Sequence, residues 1–354
     1  MDKLKKIREL LVSLNADAAV LTSFPSRIYF SGFKGSDGCV FITKDEQYII
    51  TDSRYTLQVY DEAKDFTLIS GYESNFELLL PIIKKCNISK VAFENNDMTV
   101  SRFELLKETL NCCEFINLDN RLTTIRRTKT RNEVKSISEA LKLSEYALEQ
   151  TVQKIKEGMT EVQVAAILES YMRSGGAEKL AFETVCVSGA RSALPHGAAT
   201  DKKLEKGDFL TLDFGCVIDG YCSDITRTFV VGNPSELQKE IYDTVLSAHL
   251  YAEKMISPGV RCSEADEFAR KIIISKGYGI NFGHSLGHGV GIQVHELPNL
   301  SPRSDSVLTA GDVVTVEPGI YIEDLGGVRI EDMVYISEDK PEILTNFTKE
   351  LIII

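Results

Sequence analysis

The chain has 354 residues, 43% hydrophobic and 26% charged, which predicts a soluble globular protein of about two domains. A formal net charge of -12 without a Lys/Arg cluster excludes a nucleic-acid backbone as the expected partner. No apolar run nears the ~20 residues that cross a bilayer, so no membrane partner is expected either.

Met1 to Leu11 alternates charges with leucines at helical spacing and reads as an amphipathic helix, not as a signal peptide. The 8 cysteines include no C-x-x-C. In a chain without a secretion signal they read as thiols, and the expected address is cytoplasmic. Strands are expected at 18–21, 39–42, 48–50 and 90–93, and helical spacing at 76–86 and 101–110. That is an α/β domain over residues 1–125. The polar, basic stretch Leu122 to Thr130 marks the boundary. From 126 to 354 the pattern is α+β, with helices expected at 132–156, from Thr160, at 235–256 and at 262–276. Thr160-Glu161-Val162-Gln163 resembles a capping box.

One internal echo organises the second domain. Gly207-Asp208-Phe209-Leu210-Thr211-Leu212-Asp213-Phe214-Gly215 matches Gly311-Asp312-Val313-Val314-Thr315-Val316-Glu317-Pro318-Gly319. Both read Gly-Asp, two apolar residues, Thr, one apolar residue, a carboxylate, any residue and Gly. Apolar pairing alone does not repeat a carboxylate at a strand end. Two pseudo-equivalent strands, each delivering one acid to a shared centre, account for the match.

Asp219-Gly220 is a two-residue hairpin signal that sets Asp213 opposite Thr226 and Asp224 opposite Gly215. The two acids then lie on one face, about 7–8 Å apart at Cα, where cations ~3.5–4 Å apart would relieve their repulsion. A turn cap or a salt bridge to Arg227 is the plainer role for either acid alone; two on one face favour metal. Gly326-Gly327 is read as the turn of a second hairpin that ends one strand at Glu317 and returns through Val328-Arg329-Ile330-Glu331. Alternation puts Arg329 on the face of Glu331, which it is expected to orient.

Of the 5 histidines, His284, His288 and His295 crowd one Gly-punctuated segment, an odd way to build a core. His196 sits in a loop suited to substrate contact, and His249 falls in a plain helical stretch. A carboxylate-dominated set with one imidazole suits Mn²⁺, Co²⁺ or Mg²⁺ better than a thiolate site would. Asp213-Phe214-Gly215 spells a kinase motif, but no phosphate loop accompanies it.

With these contexts assembled, the second domain resembles the pita-bread metallopeptidases, within them the aminopeptidase P and prolidase (Xaa-Pro dipeptidase) group, and residues 1–125 resemble the creatinase-type N-terminal domain. The resemblance rests on Leu212-Asp213-Phe214-Gly215, Ser223-Asp224-Ile225-Thr226-Arg227-Thr228, Gly287-His288-Gly289, Val316-Glu317-Pro318-Gly319 and Val328-Arg329-Ile330-Glu331-Asp332. It implies that Asp213, Asp224, His288, Glu317 and Glu331 hold two divalent cations, with Mn²⁺ foremost and Co²⁺ or Zn²⁺ as alternatives. Glu317 is the implied general base, with His284 and His295 stabilising the oxyanion and His196 meeting the substrate. Phe182 and Val294 would line the proline pocket, and Thr226 joins Arg329 behind the ligands. The implied substrates are short peptides with proline second, and the implied assembly is a homodimer in which Arg54 and Tyr55 reach a neighbour's site.

Many prolidases carry an arginine where this chain has Asn299, so peptides longer than two residues are the expected substrates and Xaa-Pro dipeptides the alternative. Methionine aminopeptidase lacks such a first domain, and a metal-free peptide-binding relative would have substituted ligands.

Overall fold

The computed structural model describes residues 3–354; Met1 and Asp2, which the N-terminal helix was expected to include, lie outside the described residues. The chain divides into two compact units, one ending at Arg126 and one running from Arg127 to Ile354.

In the first unit the helices are α1 Lys3–Ser13, α2 Phe24–Ser31, α3 Thr56–Glu62, α4 Leu80–Lys85, α5 Val100–Thr109 and α6 Arg121–Arg127. They accompany strands β1 Ala18–Leu21, β2 Cys39–Thr43, β3 Gln47–Thr51, β4 Thr67–Ser70, β5 Lys90–Phe93 and β6 Glu114–Asn117. The sheet runs β4-β3-β2-β1-β5-β6, antiparallel at the tight β2–β3 hairpin and at β1–β2, which α2 connects, and parallel at β3–β4, β1–β5 and β5–β6. Strands buried along their whole length, such as β1 and β2, read as continuous apolar runs for that reason. The basic stretch expected to mark the boundary contains the division between the units, and most of it is helix α6, with Leu122 and Arg126 buried.

The second unit begins with α7 Arg131–Val152 and α8 Glu161–Ser174. Thr130/Glu133 and Thr160/Gln163 close reciprocal capping boxes on these helices, which satisfies N–H groups that a helix start leaves orphaned. Strands β7 Lys179–Leu180, β8 Val185–Ser188, β9 Phe209–Phe214, β10 Cys216–Ile218, β11 Tyr221–Cys222 and β12 Ile225–Val230 form the first half. Helices α9 Glu236–Met255 and α10 Cys262–Ser275 follow. The second half holds β13 Gly287–Gly289, β14 Glu296–Leu300, β15 Val313–Val316, β16 Gly319–Ile322, β17 Gly326–Arg329, β18 Asp332–Ile336 and β19 Pro341–Ile343. Val314, Val316, Val328 and Ile330 turn into a core shared with Ile241, Val245, Ala265 and Ile273 of α9 and α10.

The echo in the sequence is an echo in hydrogen bonding. Gly207 N–H donates to Val231 O (2.7 Å) as Gly311 N–H does to Ile336 O (2.8 Å). Asp208 Oδ2 accepts from Glu205 N–H (3.0 Å), and Asp312 Oδ2 accepts from Thr309 N–H (2.9 Å). Each repeat thus enters its strand through the same carboxylate-braced turn.

The first hairpin has the expected register, Asp213 facing Thr226 and Val217 facing Cys222. It closes at Asp219 (φ 50) and Gly220 (φ 78), the pair of positive angles that a type I′ turn needs. The second differs from expectation. Ile322 pairs with Gly326, so the turn lies at 323–325, with Asp324 at φ 62, and Gly326-Gly327 belongs to the return strand. An aspartate accepts the left-handed conformation through its short polar side chain, which made this turn hard to read beside two adjacent glycines.

Candidate metal centre

The five expected ligands cluster where regular pairing is interrupted. Asp213 points from β9, Asp224 directly precedes β12, His288 is central in β13, Glu317 follows β15, and Glu331 lies between β17 and β18. The register that pairs Val316 with Asp332 and Gly319 with Arg329 sets Glu317 opposite Glu331. Their backbones bond elsewhere: Glu317 N–H donates to Leu286 O (2.8 Å) and Glu331 N–H to Thr226 O (3.1 Å). These diversions split the ladder and turn both carboxylates into one cavity.

That cavity, about 680 Å³, is lined by all five residues and by His196, His284, His295, Phe182, Val294, Asn299 and Arg329. Ligand atoms of Asp224, His288 and Glu331 lie within 4.8 Å of one another. His288 Nε2 is 3.3 Å from Glu317 Oε1 and 3.6 Å from Asp224 Oδ2. Its Nδ1 donates to Gly289 O (3.2 Å), and although burial lowers the ring's pKa, the hydrogen bond with Glu317 prevails and raises it, so Nε2 carries a proton towards the acids that a bound cation would replace.

Four carboxylates share this space with one guanidinium. Burial first, then the neighbouring acids, push Asp224 and Glu331 well above the usual carboxylate range. Asp213 is also raised by burial, against the opposing pull of Arg329. Burial would raise Glu317 too, but its hydrogen bond with His288 prevails and holds it at about 2. Among the described residues Asp213 Oδ1 is buried with no hydrogen-bond partner. An orphaned buried oxygen, excess negative charge and a preset imidazole together fit divalent cations bound through hard oxygen donors.

The surrounding residues hold this set in place. Thr226 Oγ1 donates to Glu331 Oε2 (2.6 Å), and Thr315 Oγ1 donates to Glu317 Oε1 (3.0 Å) while accepting from His288 N–H (3.1 Å). Arg329 does not orient Glu331, as alternation suggested. Its Nη2 donates to Asp213 Oδ2 (2.6 Å) and Pro195 O (3.2 Å), its Nε to Thr226 Oγ1 (3.1 Å) and its Nη1 to Tyr321 Oη (2.7 Å). The long side chain crosses from its own hairpin to the first one, a reach that period-two logic does not see.

Tyr321 escaped the sequence reading. Its hydroxyl accepts from Arg329 and donates to His284 Nε2 (2.9 Å), while His284 Nδ1 donates to Ser285 O (2.8 Å). Burial lowers the His284 pKa, which keeps the ring neutral, and both nitrogens are then engaged. The signal was available: Glu317, Gly319 and Tyr321 share one strand face by alternation. His295 is more exposed, and its ring lies 4.3 Å from that of His288. Phe182 and Val294 line the cavity, and Cys216 Sγ turns away to the Ala140 carbonyl (3.2 Å).

A second group, His249, Glu253 and Asp332, is fully buried. There the ammonium of Lys349 already contacts Asp332 and lies 3.8 Å from Glu253 Oε1, so the acids are offset without a metal.

Comparison with known proteins bears on both units. Residues 135–338 match Metallopeptidase family M24, and residues 3–128 match the Creatinase/Prolidase N-terminal domain. An Xaa-Pro dipeptidase from Pyrococcus horikoshii is 40% identical over 355 residues, 99% of each chain. The structure of an Xaa-Pro dipeptidase from Bacillus anthracis superposes with a TM-score of 0.96 at 42% identity, covering 100% of this chain and 99% of that one. An X-Pro aminopeptidase from Thermotoga maritima gives 0.93 at 40% identity, over 98% of this chain and 100% of that one. Among the described residues no helix is long and apolar enough to cross a membrane. The chain belongs to metallopeptidase family M24, in the group that carries a creatinase/prolidase N-terminal domain.

Proposed function

We propose that this protein hydrolyses the bond between an N-terminal residue and proline, using Asp213, Asp224, His288, Glu317 and Glu331 to hold two divalent cations. The observation that carries the proposal is the convergence of these five side chains on one cavity with a single guanidinium among them. Relatives named Xaa-Pro dipeptidase and X-Pro aminopeptidase, 40% or more identical, support the choice of substrate. Mn²⁺ is the proposed metal, since oxygen donors with one imidazole favour it over thiolate-seeking ions. Cations bound there supply Lewis acidity and make a water nucleophilic near neutral pH.

The chain's own residues do the rest. Glu317 takes the proton of the attacking water and returns it to the departing proline nitrogen. His295, whose pKa burial and His288 lower, hydrogen-bonds the carbonyl oxygen as charge develops on it. His284, expected in that role too, has both nitrogens engaged and is assigned instead to steadying Tyr321 and, through it, Arg329. His196 contacts the peptide at the mouth, and Phe182 and Val294 form an apolar wall for a ring that has no N–H to donate.

Peptides of more than two residues are the proposed substrates. A dipeptide presents its carboxylate within the cavity, yet four of the five N–H donors of Arg329 are committed and its charge faces Asp213, while Asn299 and Ser301 are neutral. The dipeptide reading is supported by the names of the relatives. The protein is proposed to act in the cytoplasm as a homodimer, in which the exposed Arg54 and the half-buried Tyr55 reach the partner's site.

A panel of Xaa-Pro and Xaa-Pro-Yaa peptides, assayed after chelation and re-addition of Mn²⁺, Co²⁺ or Zn²⁺, tests this. Faster turnover of the longer peptides is expected. A strong dipeptide preference would overturn the length assignment, and no turnover of either by metal-loaded protein would overturn the function. Sedimentation with an Arg54→Ala activity assay tests the assembly.

A further inference from the structure

His295 sits at the end of a loop, residues 291–295, that reaches the cavity with Val294 and His295. The loop is tied at its start, where Gly291 N–H donates to Gln293 O (3.0 Å) and Gly291 O accepts from Cys222 N–H (2.8 Å). At its far end the backbone enters β14, where Glu296 faces Gly289, and a side chain braces the loop there as well. Glu296 Oε1 accepts from Gln293 N–H (3.2 Å), and Glu296 Oε2 pairs with Lys129 Nζ (3.2 Å). Both side chains of that pair are only 2% exposed. A Cβ at position 291 would lie 2.4 Å from Glu296 Oε2 and 3.0 Å from Lys129 Cε, so the loop backbone rests directly on the ion pair.

We propose that Lys129 and Glu296 are positioning residues for His295. Neither lines the cavity. Their effect on turnover passes through the loop they hold, and the inference rests on the role proposed above for His295. The physical reason is desolvation. A carboxylate this deep is tolerable only while its partner stays, because a buried charge left alone must rehydrate or rotate outward. If the Glu296 side chain moves, the Gln293 N–H loses that acceptor, and the loop that carries His295 keeps its strand pairing but loses its side-chain brace. Displacement of a catalytic side chain by about 1 Å costs turnover up to ~10²-fold, without a corresponding loss of metal.

The test is a double-mutant cycle in the full-length, metal-loaded enzyme, assayed on an Xaa-Pro-Yaa peptide. Lys129→Met is made alone and with His295→Ala, and kcat, KM, bound metal and Tm are measured for each. Alone, Lys129→Met is expected to lower kcat on the order of tenfold, with KM and bound metal within about twofold. In the His295→Ala background it should change kcat by less than about twofold, since the group it positions is gone. A folded Lys129→Met enzyme with full kcat, or an equal fractional loss in both backgrounds, would overturn the inference. Should Lys129→Met fail to fold, Glu296→Gln keeps the shape of the side chain and an acceptor for Gln293, removes only the ionic partner, and completes the same cycle. An undiminished His295→Ala enzyme would remove the role of His295 and the inference together. An impaired His295→Ala beside a fully active Lys129→Met would remove the inference alone.

Discussion

Thr226 and Glu331 meet across the seam between the two strand-rich halves of the second unit, joined by a backbone bridge and by a 2.6 Å hydrogen bond from hydroxyl to carboxylate. In the pseudo-twofold, the residue facing Asp213 is Thr226 and the residue facing Glu317 is Glu331. One half therefore uses at this position a hydroxyl that steadies the acid of the other. Thr226→Val removes that donor at nearly constant volume, and metal affinity is expected to fall about 10–100-fold. Thr226→Ser should retain most of it. Metal titration by calorimetry checks both.

Arg329 joins Asp213, Thr226, Tyr321 and Pro195 through a planar fork that an ammonium cannot reproduce. Arg329→Lys is expected to lower kcat/KM on the order of 100-fold while the protein stays folded. Near-normal activity in that variant would show that a point charge suffices.

Tyr321→Phe breaks the chain from Arg329 to His284 and deletes a hydroxyl that is buried and bonded on both sides. The orphaned partners should cost stability of about 1–3 kcal/mol and reduce kcat more than KM. Urea denaturation and steady-state kinetics separate the two effects.

Removing the metal should abolish turnover and lower Tm, because four carboxylates then face one another with Arg329 and His288 as the positive groups among them. Asp224 and Glu331 are raised carboxyls in the metal-free protein, so a cation must displace protons from them. Apparent metal affinity should rise with pH. Calorimetry in buffers of different ionisation enthalpy should record the protons released.

In the first unit, Asp17 accepts from Ser89 N–H (3.0 Å), Ser89 Oγ (3.0 Å), Lys90 N–H (3.1 Å) and Lys44 Nζ (3.0 Å). Burial acts to raise its carboxyl, but these donors outweigh it and hold the group at about 2, below the ordinary 3.8. A depressed carboxylate contributes stability that is present above its ordinary pKa and is lost as pH falls towards the folded value. Asp17→Asn should therefore destabilise by about 1 kcal/mol at pH 7, allowing for solvent screening, and by less at pH 3. Urea midpoints at the two pH values test the window.

Much of this architecture was legible because the chemistry repeats locally. The capping box at Thr160, the type I′ turn at Asp219-Gly220 and the recurring Gly-Asp strand entry each follow from side chains within a few residues of the backbone they satisfy. The ligand-bearing strands were legible for the same reason. What the sequence did not disclose depends on long reach. Arg329 bonding Asp213, Tyr321 bridging to His284 and Lys129 pairing with Glu296 join residues that only the folded sheet brings together. The Asp324 turn was missed because two glycines beside it gave a stronger local signal than the residue that turns.

The pseudo-twofold has a practical consequence for how the protein fails. Asp213 and Asp224 come from one half; His288, Glu317 and Glu331 come from the other. Neither half carries enough ligands to hold two cations by itself. Metal release should therefore accompany separation of the halves at the Thr226–Glu331 seam, well before either half melts internally. A metal-sensitive dye would then report local parting of the catalytic unit at a stage when circular dichroism still sees a folded protein.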